Sequence, residues 1–376
     1  MNGNRTPFGV MLALLFGFCL ISMGQGQAQE KPSGFAGLGQ SAQQFEQPSK
    51  TTVLTFPRDH AAHRNFRIEW WYVTANLQLA DGTPLGAQWT LFRSARRVSN
   101  NSEGQSQTGW ADPQLWLGHA ALTTSTRHVF SETRARGNTG QAGVSEDGRR
   151  AWIDDWQLAS NAAAGGDLYD DLEIRATGET FSYTLNLSAT GPLIFHGDRG
   201  YSVKSPLGQA SHYYSQPFFQ VSGSVEIDGK TQTVTGMAWL DREWSSQPLS
   251  ENQSGWDWAS LHFADRTKLM IFQVRSTRNG EPSTFLSGTF ISADGETAPL
   301  SAQHITLSAL GSDASGPSKP PTRWAVDITH PKMTKSFEII ALNPNSFMRT
   351  SIPYWEGPVR IHKGASGVGY LEMTGY

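Results

Sequence analysis

Cysteine is almost absent from the sequence. The 376 residues contain a single one, Cys19, which lies in an apolar stretch near the start of the chain. If that stretch is cleaved off, the mature protein has no thiol, which excludes disulfide bonds, thiolate metal sites and a cysteine nucleophile. A chain without thiols is compatible with an oxidising compartment such as the periplasm.

Charged residues are also sparse, and so are stretches with helical periodicity. Only 17% of the residues are charged, and the net charge of −3 gives the chain no general attraction for nucleic acid. Helical periodicity is not sustained over any stretch of more than about a dozen residues. The 38 glycines and 13 tryptophans instead favour turns and aromatic-lined sheets. The composition predicts a globular, mostly β protein.

Several motifs of cofactor and hydrolase sites are missing. The sequence has no Gly-x-Ser-x-Gly elbow and no glycine-rich loop between a strand and a helix. A serine hydrolase of that architecture and a nucleotide cofactor are therefore not predicted. His60 and His63 form a His-x-x-His pair, but no third ligand lies at a supporting spacing, so we predict neither a metal site nor a cofactor.

The first residues have the pattern of a secretion signal. Arg5 precedes an uncharged run whose apolar centre extends from Phe8 to Met23, which is short for a membrane span. Small residues before Gln29 predict a signal peptide at residues 1–28, followed by a flexible linker at residues 29–50. We expect a secreted, periplasmic protein without a membrane anchor; a retained anchor is the alternative.

An aromatic strand follows the linker, with Trp70, Trp71 and Tyr72 directly after Glu69. At period two, Glu69 and Trp71 share an apolar face, whereas Trp70 and Tyr72 share the opposite face. This pattern indicates either the wall of a pocket or simple packing. Glu69 on an apolar face needs a cationic partner, for which Arg67 or Arg93 is available.

Tight-turn signatures recur along the chain. They are Asp81-Gly82, Asp147-Gly148, Asp228-Gly229, Asn279-Gly280 and Asp294-Gly295, each between strand-like stretches. Such spacing predicts an antiparallel meander, which commonly closes into barrels with a ligand cavity. We place an N-terminal domain at residues 51–238 and a C-terminal domain at residues 239–376.

Two polar and aromatic segments are candidates for a site. The first contains Trp239, Asp241, Glu243, Trp244, Trp256, Asp257, Trp258 and His262. A carboxyl group packed against indole rings has a raised pKa, which suits a general acid, and indole faces can stabilise a cation. The second segment contains His212, Tyr213 and Tyr214, which could line a pocket wall. In the structural alternative, Arg242 pairs with a carboxylate and the tryptophans fill a contact between domains.

Several of these motifs resemble the AttH-like, carotenoid 1,2-hydratase (hydroxyneurosporene synthase) family. They are Asp59-His60-x-x-His63, Glu69-Trp70-Trp71-Tyr72, Gly208-x-Ala210-Ser211-His212-Tyr213-Tyr214-Ser215, Trp239-Leu240-Asp241-Arg242-Glu243-Trp244, Gly255-Trp256-Asp257-Trp258 and the C-terminal Gly367 to Tyr376. The resemblance extends over nearly all of the chain beyond the linker. It implies two consecutive lipocalin-like β-barrel domains.

The resemblance also implies a reaction, the hydration of an isolated carbon–carbon double bond on a hydrophobic polyene. Asp241 is then the first candidate for proton donor, Glu243 or Asp257 the second, and Trp244 an aromatic stabiliser. The chain departs from the hydratase pattern at Arg242, where that pattern has histidine.

We therefore expect a protein that binds a hydrophobic, isoprenoid-like or lipid-like ligand in an aromatic-lined cavity. The ligand-binding candidates are Trp70, Tyr72, His212, Tyr213, Tyr214, Trp239, Trp256, Trp258 and His262. A hydro-lyase of the carotenoid 1,2-hydratase type is the alternative. A third possibility is a module that serves an envelope transporter.

Overall fold

The structure, a computed structural model, describes residues 44–98, 112–247, 252–278 and 281–376. The expected signal peptide and most of the expected linker lie outside the described residues. Of that linker, residues 44–50 are described, and Phe45 within them is buried against the protein. In the part of the chain that is described, no helix is both long and apolar enough to cross a membrane.

The first thirteen strands form one antiparallel sheet. They are β1 (Ile68–Leu79), β2 (Pro84–Ala95), β3 (Gln114–Thr124), β4 (His128–Arg136), β5 (Ala142–Val144), β6 (Arg150–Ile153), β7 (Trp156–Ser160), β8 (Asp171–Thr177), β9 (Phe181–Ala189), β10 (Ile194–Phe195), β11 (Tyr201–Val203), β12 (Ala210–Ile227) and β13 (Lys230–Ser245). Their order is β4-β3-β2-β1-β13-β12-β9-β8-β7-β6-β5, with β10 and β11 paired to β12. A 3-10 turn, Arg58–His60, precedes the sheet.

The remaining ten strands form a second antiparallel sheet. They are β14 (Gln253–Phe263), β15 (Lys268–Arg278), β16 (Glu281–Ile291), β17 (Thr297–Ser301), β18 (Ile305–Gly311), β19 (Arg323–His330), β20 (Met333–Ala341), β21 (Phe347–Met348), β22 (Tyr354–His362) and β23 (Gly367–Thr374). Their order is β17-β16-β15-β14-β23-β22-β20-β19-β18, with β21 paired to β22.

Each sheet encloses its own hydrophobic core. The core of the first sheet includes Trp71 and Trp89, and that of the second includes Trp355 and Phe337. Burying a large apolar side chain contributes roughly 1.5–3 kcal/mol, so these residues hold the curled sheets together. The predicted all-β class, with two consecutive antiparallel β-barrel domains, is confirmed.

The alternation predicted for the aromatic strand is present in β1. Trp71 and Val73 point into the first core, whereas Tyr72 packs in a separate cluster with Trp258 of the second sheet. The inward face therefore stabilises the first barrel. The outward face contacts the second barrel.

Four of the predicted turns fall within the described residues, and each joins neighbouring strands. Between β12 and β13, Asp228 and Gly229 both have positive φ, 52° and 75°. This pair of angles is typical of a type I′ turn, which matches the twist of the flanking strands. The fifth predicted turn, Asn279-Gly280, lies outside the described residues.

The chain passes from one sheet to the other between Ser245, the end of β13, and Gln253, the start of β14. The predicted domain boundary near Ala238 lies inside β13, which pairs along its length with β1 and β12. The segment Trp239 to Trp244 is therefore part of the first sheet. Trp256 to His262 belongs to the second.

Candidate active site between the two sheets

A cavity of about 200 Å³ lies between the outer faces of the two sheets. Its aromatic and apolar wall includes Trp70, Tyr72, Phe92, Leu117, Tyr213, Trp256, Trp258, Phe272, Val274 and Tyr354. Polar side chains interrupt that wall at Thr90, His119, Lys204, Ser211, Asp241, Glu243 and Glu372. An apolar cavity with a few convergent polar groups is the usual form of a small-molecule site.

Strand register places two carboxyl groups in this wall. On β13, Asp241 lies opposite Tyr72 of β1, and Glu243 lies opposite Trp70. Residues directly opposite each other in an antiparallel pair project from the same face. Asp241, Glu243, Trp70 and Tyr72 therefore all face the cavity.

Asp241 is buried, with 4% of its surface exposed. Its Oδ1 accepts hydrogen bonds from the Ser215 hydroxyl and, at 2.7 Å, from Trp239 Nε1. Burial raises the pKa of Asp241 to about 7, although hydrogen bonds from Ser215, Trp239 and Tyr213 oppose the rise. Near neutral pH this carboxyl group can therefore both give and take a proton.

A buried hydrogen-bond chain holds Ser215 in place. His196 Nε2 lies 2.7 Å from Ser215 Oγ, and His196 Nδ1 lies 2.9 Å from Thr289 Oγ1 in the second sheet. Burial, with a smaller contribution from Lys204, lowers the pKa of His196 well below its usual value, so the ring is neutral. Because Ser215 donates to Asp241, a neutral His196 donates from Nε2 to Ser215 and accepts from Thr289. Each hydrogen-bond donor in this series, from Thr289 through His196 to Ser215, therefore points toward Asp241.

Glu243 is neutralised by a lysine at the cavity wall. Lys204 Nζ lies 2.9 Å from Glu243 Oε1 and 4.4 Å from the centre of the Tyr213 ring. The Tyr213 hydroxyl in turn accepts a hydrogen bond of 3.2 Å from Trp258 Nε1. Glu243 thus serves as an ion-pair partner in this geometry, whereas Asp241 has no cation among its partners in the described part of the chain.

The second sheet contributes a further pair of acids, Glu356 on β22 and Glu372 on β23, which lie opposite each other. Trp256 Nε1 donates to Glu372 Oε1 at 2.6 Å, and the Tyr72 hydroxyl donates to Glu356 Oε1 at 2.5 Å. Burial raises the pKa of Glu372 to about 7, against the hydrogen bond from Trp256 and an interaction with Tyr72. Burial and then the neighbouring Glu372 raise the pKa of Glu356 well above its usual value, so Glu356 is a neutral acid.

The structure brings part of the predicted set together. The cavity wall contains Asp241, Glu243, Trp70, Tyr72, Tyr213, Trp256 and Trp258. Trp239 lies directly behind the wall, fully buried and bonded to Asp241, and the His262 ring is 5.8 Å from Trp239. These two residues support the site without lining it.

Four predicted residues face away from the cavity, because along their strands they alternate with the residues that face it. Trp244 lies in the first core and stacks on His63 at 3.8 Å, and the His212 ring lies 5.4 Å from Trp244. The Tyr214 hydroxyl is 2.7 Å from His60 Nδ1. Asp257 points away from the cavity and accepts hydrogen bonds from Gln273 and Arg275.

The predicted partner of Glu69 is present. Arg93 Nε lies 3.0 Å from Glu69 Oε2, while Arg242 Nη2 and His63 Nδ1 lie 2.8 Å and 2.7 Å from Glu69 Oε1. Glu69, Arg93 and Arg242 are fully buried. Burial alone would raise the pKa of Glu69, but His63, Arg242 and Arg93 outweigh it and hold the pKa well below its usual range. We call these four residues the Glu69 cluster; they lie inside the first barrel.

Sequence reasoning missed His119, His196, Lys204, Glu356 and Glu372. Glu372 lies in the C-terminal segment that carries part of the family resemblance, and this was its one local signal. The others come from separate strands and loops. His119 and Lys204 line the cavity, whereas His196 and Glu356 contact Ser215 and Tyr72.

Comparison with known proteins identifies the family of this chain. A sequence model of the AttH-like family matches residues 47–376. No curated protein matches the chain. A crystal structure assigned as an AttH from Nitrosomonas europaea is 32% identical, covers 88% of this chain and 100% of its own, and has a TM-score of 0.76.

Two more distant structures share the fold. Kievitone hydratase from Nectria haematococca is 12% identical, covers 88% of this chain and 98% of its own, and has a TM-score of 0.63. CghA with Sch210972 is 10% identical, covers 90% and 97%, and has a TM-score of 0.52. These likenesses support the same lipocalin-like architecture for this chain.

Proposed function

The chain belongs to the AttH-like family, and from that membership and the cavity between its sheets we propose that it is a hydro-lyase for a hydrophobic small molecule. It binds the molecule against the aromatic wall and adds water to an isolated carbon–carbon double bond. An isoprenoid chain end of the carotenoid type is the substrate class that the family resemblance implies, and the aromatic lining of the cavity is compatible with it. The signal pattern at residues 1–28 supports action in the periplasm.

One observation carries the proposal, the position of Asp241. This buried carboxyl group lies in the wall of an otherwise aromatic cavity and has no cationic partner among its described contacts. A protonated carboxylic acid beside an apolar ligand is the group that acid-catalysed hydration requires. The hydratase activity of one structural neighbour is compatible with this chemistry.

The proposed reaction proceeds in two steps. Protonated Asp241 transfers its proton to one carbon of the double bond, the π bond breaks, and the other carbon becomes cationic. The faces of Tyr72 and Trp258 stabilise that cation. Water then forms a bond to the cationic carbon and loses a proton, which leaves a tertiary alcohol and a carboxylate on Asp241.

The test is incubation of the purified protein with an acyclic carotenoid that has an isolated terminal double bond, in ¹⁸O-labelled water. Mass spectrometry should detect a product that has gained one labelled water. Asp241→Asn should reduce the rate by about 100-fold or more, the scale of a positioned proton donor. The matched control is Asp257→Asn, because Asp257 faces away from the cavity.

Binding without turnover is the second candidate, and the largely aromatic lining favours it. In that case Asp241→Asn and Glu243→Gln would leave ligand retention intact, and no product would form. Native mass spectrometry of the purified protein would then detect a copurified apolar molecule. A labelled product that disappears in Asp241→Asn rules out this second candidate.

A further inference from the structure

A line of polar side chains leads from the cavity to the protein surface, with hydrogen bonds between Tyr72 and Glu356 and from Tyr354 through His119 to Glu132. It begins at Glu372, which is partly exposed to the cavity, and ends at Glu132 on the outer strand β4. The line crosses between the two sheets three times. Its members are Glu372, Tyr72, Glu356, Tyr354, His119 and Glu132.

The inner half of this line is deeply buried. Tyr72 donates to Glu356 at 2.5 Å, and its hydroxyl also interacts with Glu372. Glu356 is 2% exposed, and its carboxyl group interacts with the Tyr354 hydroxyl. Glu356 Oε2 forms no hydrogen bond with the described residues, so this oxygen is available to accept a proton or to hold one.

The outer half reaches solvent through an imidazole. His119 Nδ1 lies 2.8 Å from the Tyr354 hydroxyl, and His119 Nε2 lies 3.0 Å from Glu132 Oε2. The Glu132 side chain is 14% exposed. Three further groups contact this carboxylate: the exposed Arg134 guanidinium and, from Ser351, the backbone N–H at 2.8 Å and the hydroxyl at 2.7 Å. An imidazole bonded on both nitrogens can take a proton on one side and release one on the other.

We propose that Glu372 is the second acid–base group of the cavity and that the line from Tyr72 to Glu132 exchanges its proton with solvent. This inference rests on the proposed function for its purpose, since hydration needs a base as well as an acid. Its test does not require turnover. Glu243 is not the base in this scheme because Lys204 already pairs with it.

The protons balance over one cycle. Asp241 gives a proton to carbon, and the attacking water gives a proton to the Glu372 carboxylate. Glu372 passes a proton to the line, and Glu132 releases one to solvent while product still fills the cavity. After the product leaves, Asp241 takes a proton from solvent, so no net proton is consumed.

Hydrogen–deuterium exchange of protonated carboxyl groups tests the line directly. The full chain is filled with N-phenyl-1-naphthylamine, a neutral apolar fluorophore that closes the route through the cavity mouth. The protein is then mixed with D₂O, and infrared spectroscopy follows the carboxyl C=O band that disappears in Glu372→Gln. Glu132→Gln and His119→Gln should each slow the exchange of this band by about 100-fold, the lower range for a proton-transfer group.

The matched control is Glu338→Gln. Glu338 pairs with His362 at 3.5 Å on the second sheet, so this change removes a Glu–His contact away from the cavity. Exchange in this variant should equal that of the unaltered protein. An unchanged exchange rate in folded His119→Gln and Glu132→Gln would overturn the proposed proton line. Loss of hydration activity in these variants without slower exchange would count against it as well.

Discussion

Glu69→Ala is expected to destabilise the first barrel far more than it alters ligand binding. Glu69 is the one carboxylate within hydrogen-bond reach of both Arg93 and Arg242 in the described structure. Both guanidinium groups are fully buried. Removal of Glu69 therefore leaves two buried cations that have lost their counter-ion.

The expected magnitude follows from that geometry. Removing one partner of a buried ion pair costs about 3–5 kcal/mol, because the remaining charge is uncompensated. A domain has roughly 5–15 kcal/mol of stability in total, so the loss is a large fraction of it. The Arg242 guanidinium retains its stacking on the Trp71 ring at 3.9 Å, which limits the loss.

The same cluster gives stability a defined pH dependence. The folded-state pKa of Glu69 is depressed below its unfolded value, mainly because His63, Arg242 and Arg93 overcome the effect of burial. Its contribution is therefore fully present above the unfolded pKa and is lost as pH falls toward the folded pKa. Glu69→Ala should remove this part of the acid dependence.

Urea unfolding followed by tryptophan fluorescence measures the free energy of unfolding, and N-phenyl-1-naphthylamine fluorescence measures binding to the cavity. The matched control is Glu226→Ala on β12, where the carboxylate accepts a hydrogen bond from the exposed Thr231 and has no ion-pair partner among the described residues; a change within about 0.5 kcal/mol is expected. The reasoning fails if Glu69→Ala costs less than about 1 kcal/mol while it weakens probe binding.

Other predictions concern Asp241 and the contact between the sheets. Hydration should fall as pH rises through about 7, because Asp241 must be protonated, and a pH–rate profile measures this. Folding stability should also fall with pH between the usual carboxyl range and about 7, since the folded state holds the Asp241 proton more tightly; urea unfolding across that range measures it. Ser215→Ala removes a donor to Asp241 and should raise its pKa in that profile, whereas Ser211→Ala, whose hydroxyl has no hydrogen-bond partner among the described residues, should not. Gly86→Ala should destabilise the protein by about 1–3 kcal/mol in urea unfolding, because the new methyl group would lie 2.7 Å from Pro358 of the second sheet.

Local patterns were sufficient to predict the class of fold. Period-two alternation assigned the two faces of β1, and Asp-Gly turns indicated antiparallel hairpins. By the same alternation, Asp241 and Glu243 share one face of β13, and Asp257 lies on the opposite face of β14 from Trp256 and Trp258. These properties depend on neighbouring residues along one strand.

The set of residues that line the cavity could not be predicted from alternation along single strands. The hydrogen bond between Tyr72 and Glu356 joins residues 284 positions apart, and no periodicity encodes such a contact. Parity separates the two faces of β12, but it does not show which face meets the second sheet. Tyr213 faces the cavity, while His212 and Tyr214 face the first core. The sequence-based prediction places all three residues in one pocket wall.

The position of Arg242 changes the meaning of the departure from the hydratase pattern. Asp241 and Arg242 are consecutive on β13, so Asp241 faces the cavity and Arg242 faces the Glu69 cluster. The histidine that the pattern has at this position would, on the same register, also point into the first barrel. The departure therefore replaces a group of the barrel interior and leaves Asp241, the proposed proton donor, in the cavity wall. Under the proposed function, activity depends on Asp241 and its neighbours in the cavity, whereas Arg242 pairs with Glu69 inside the first barrel.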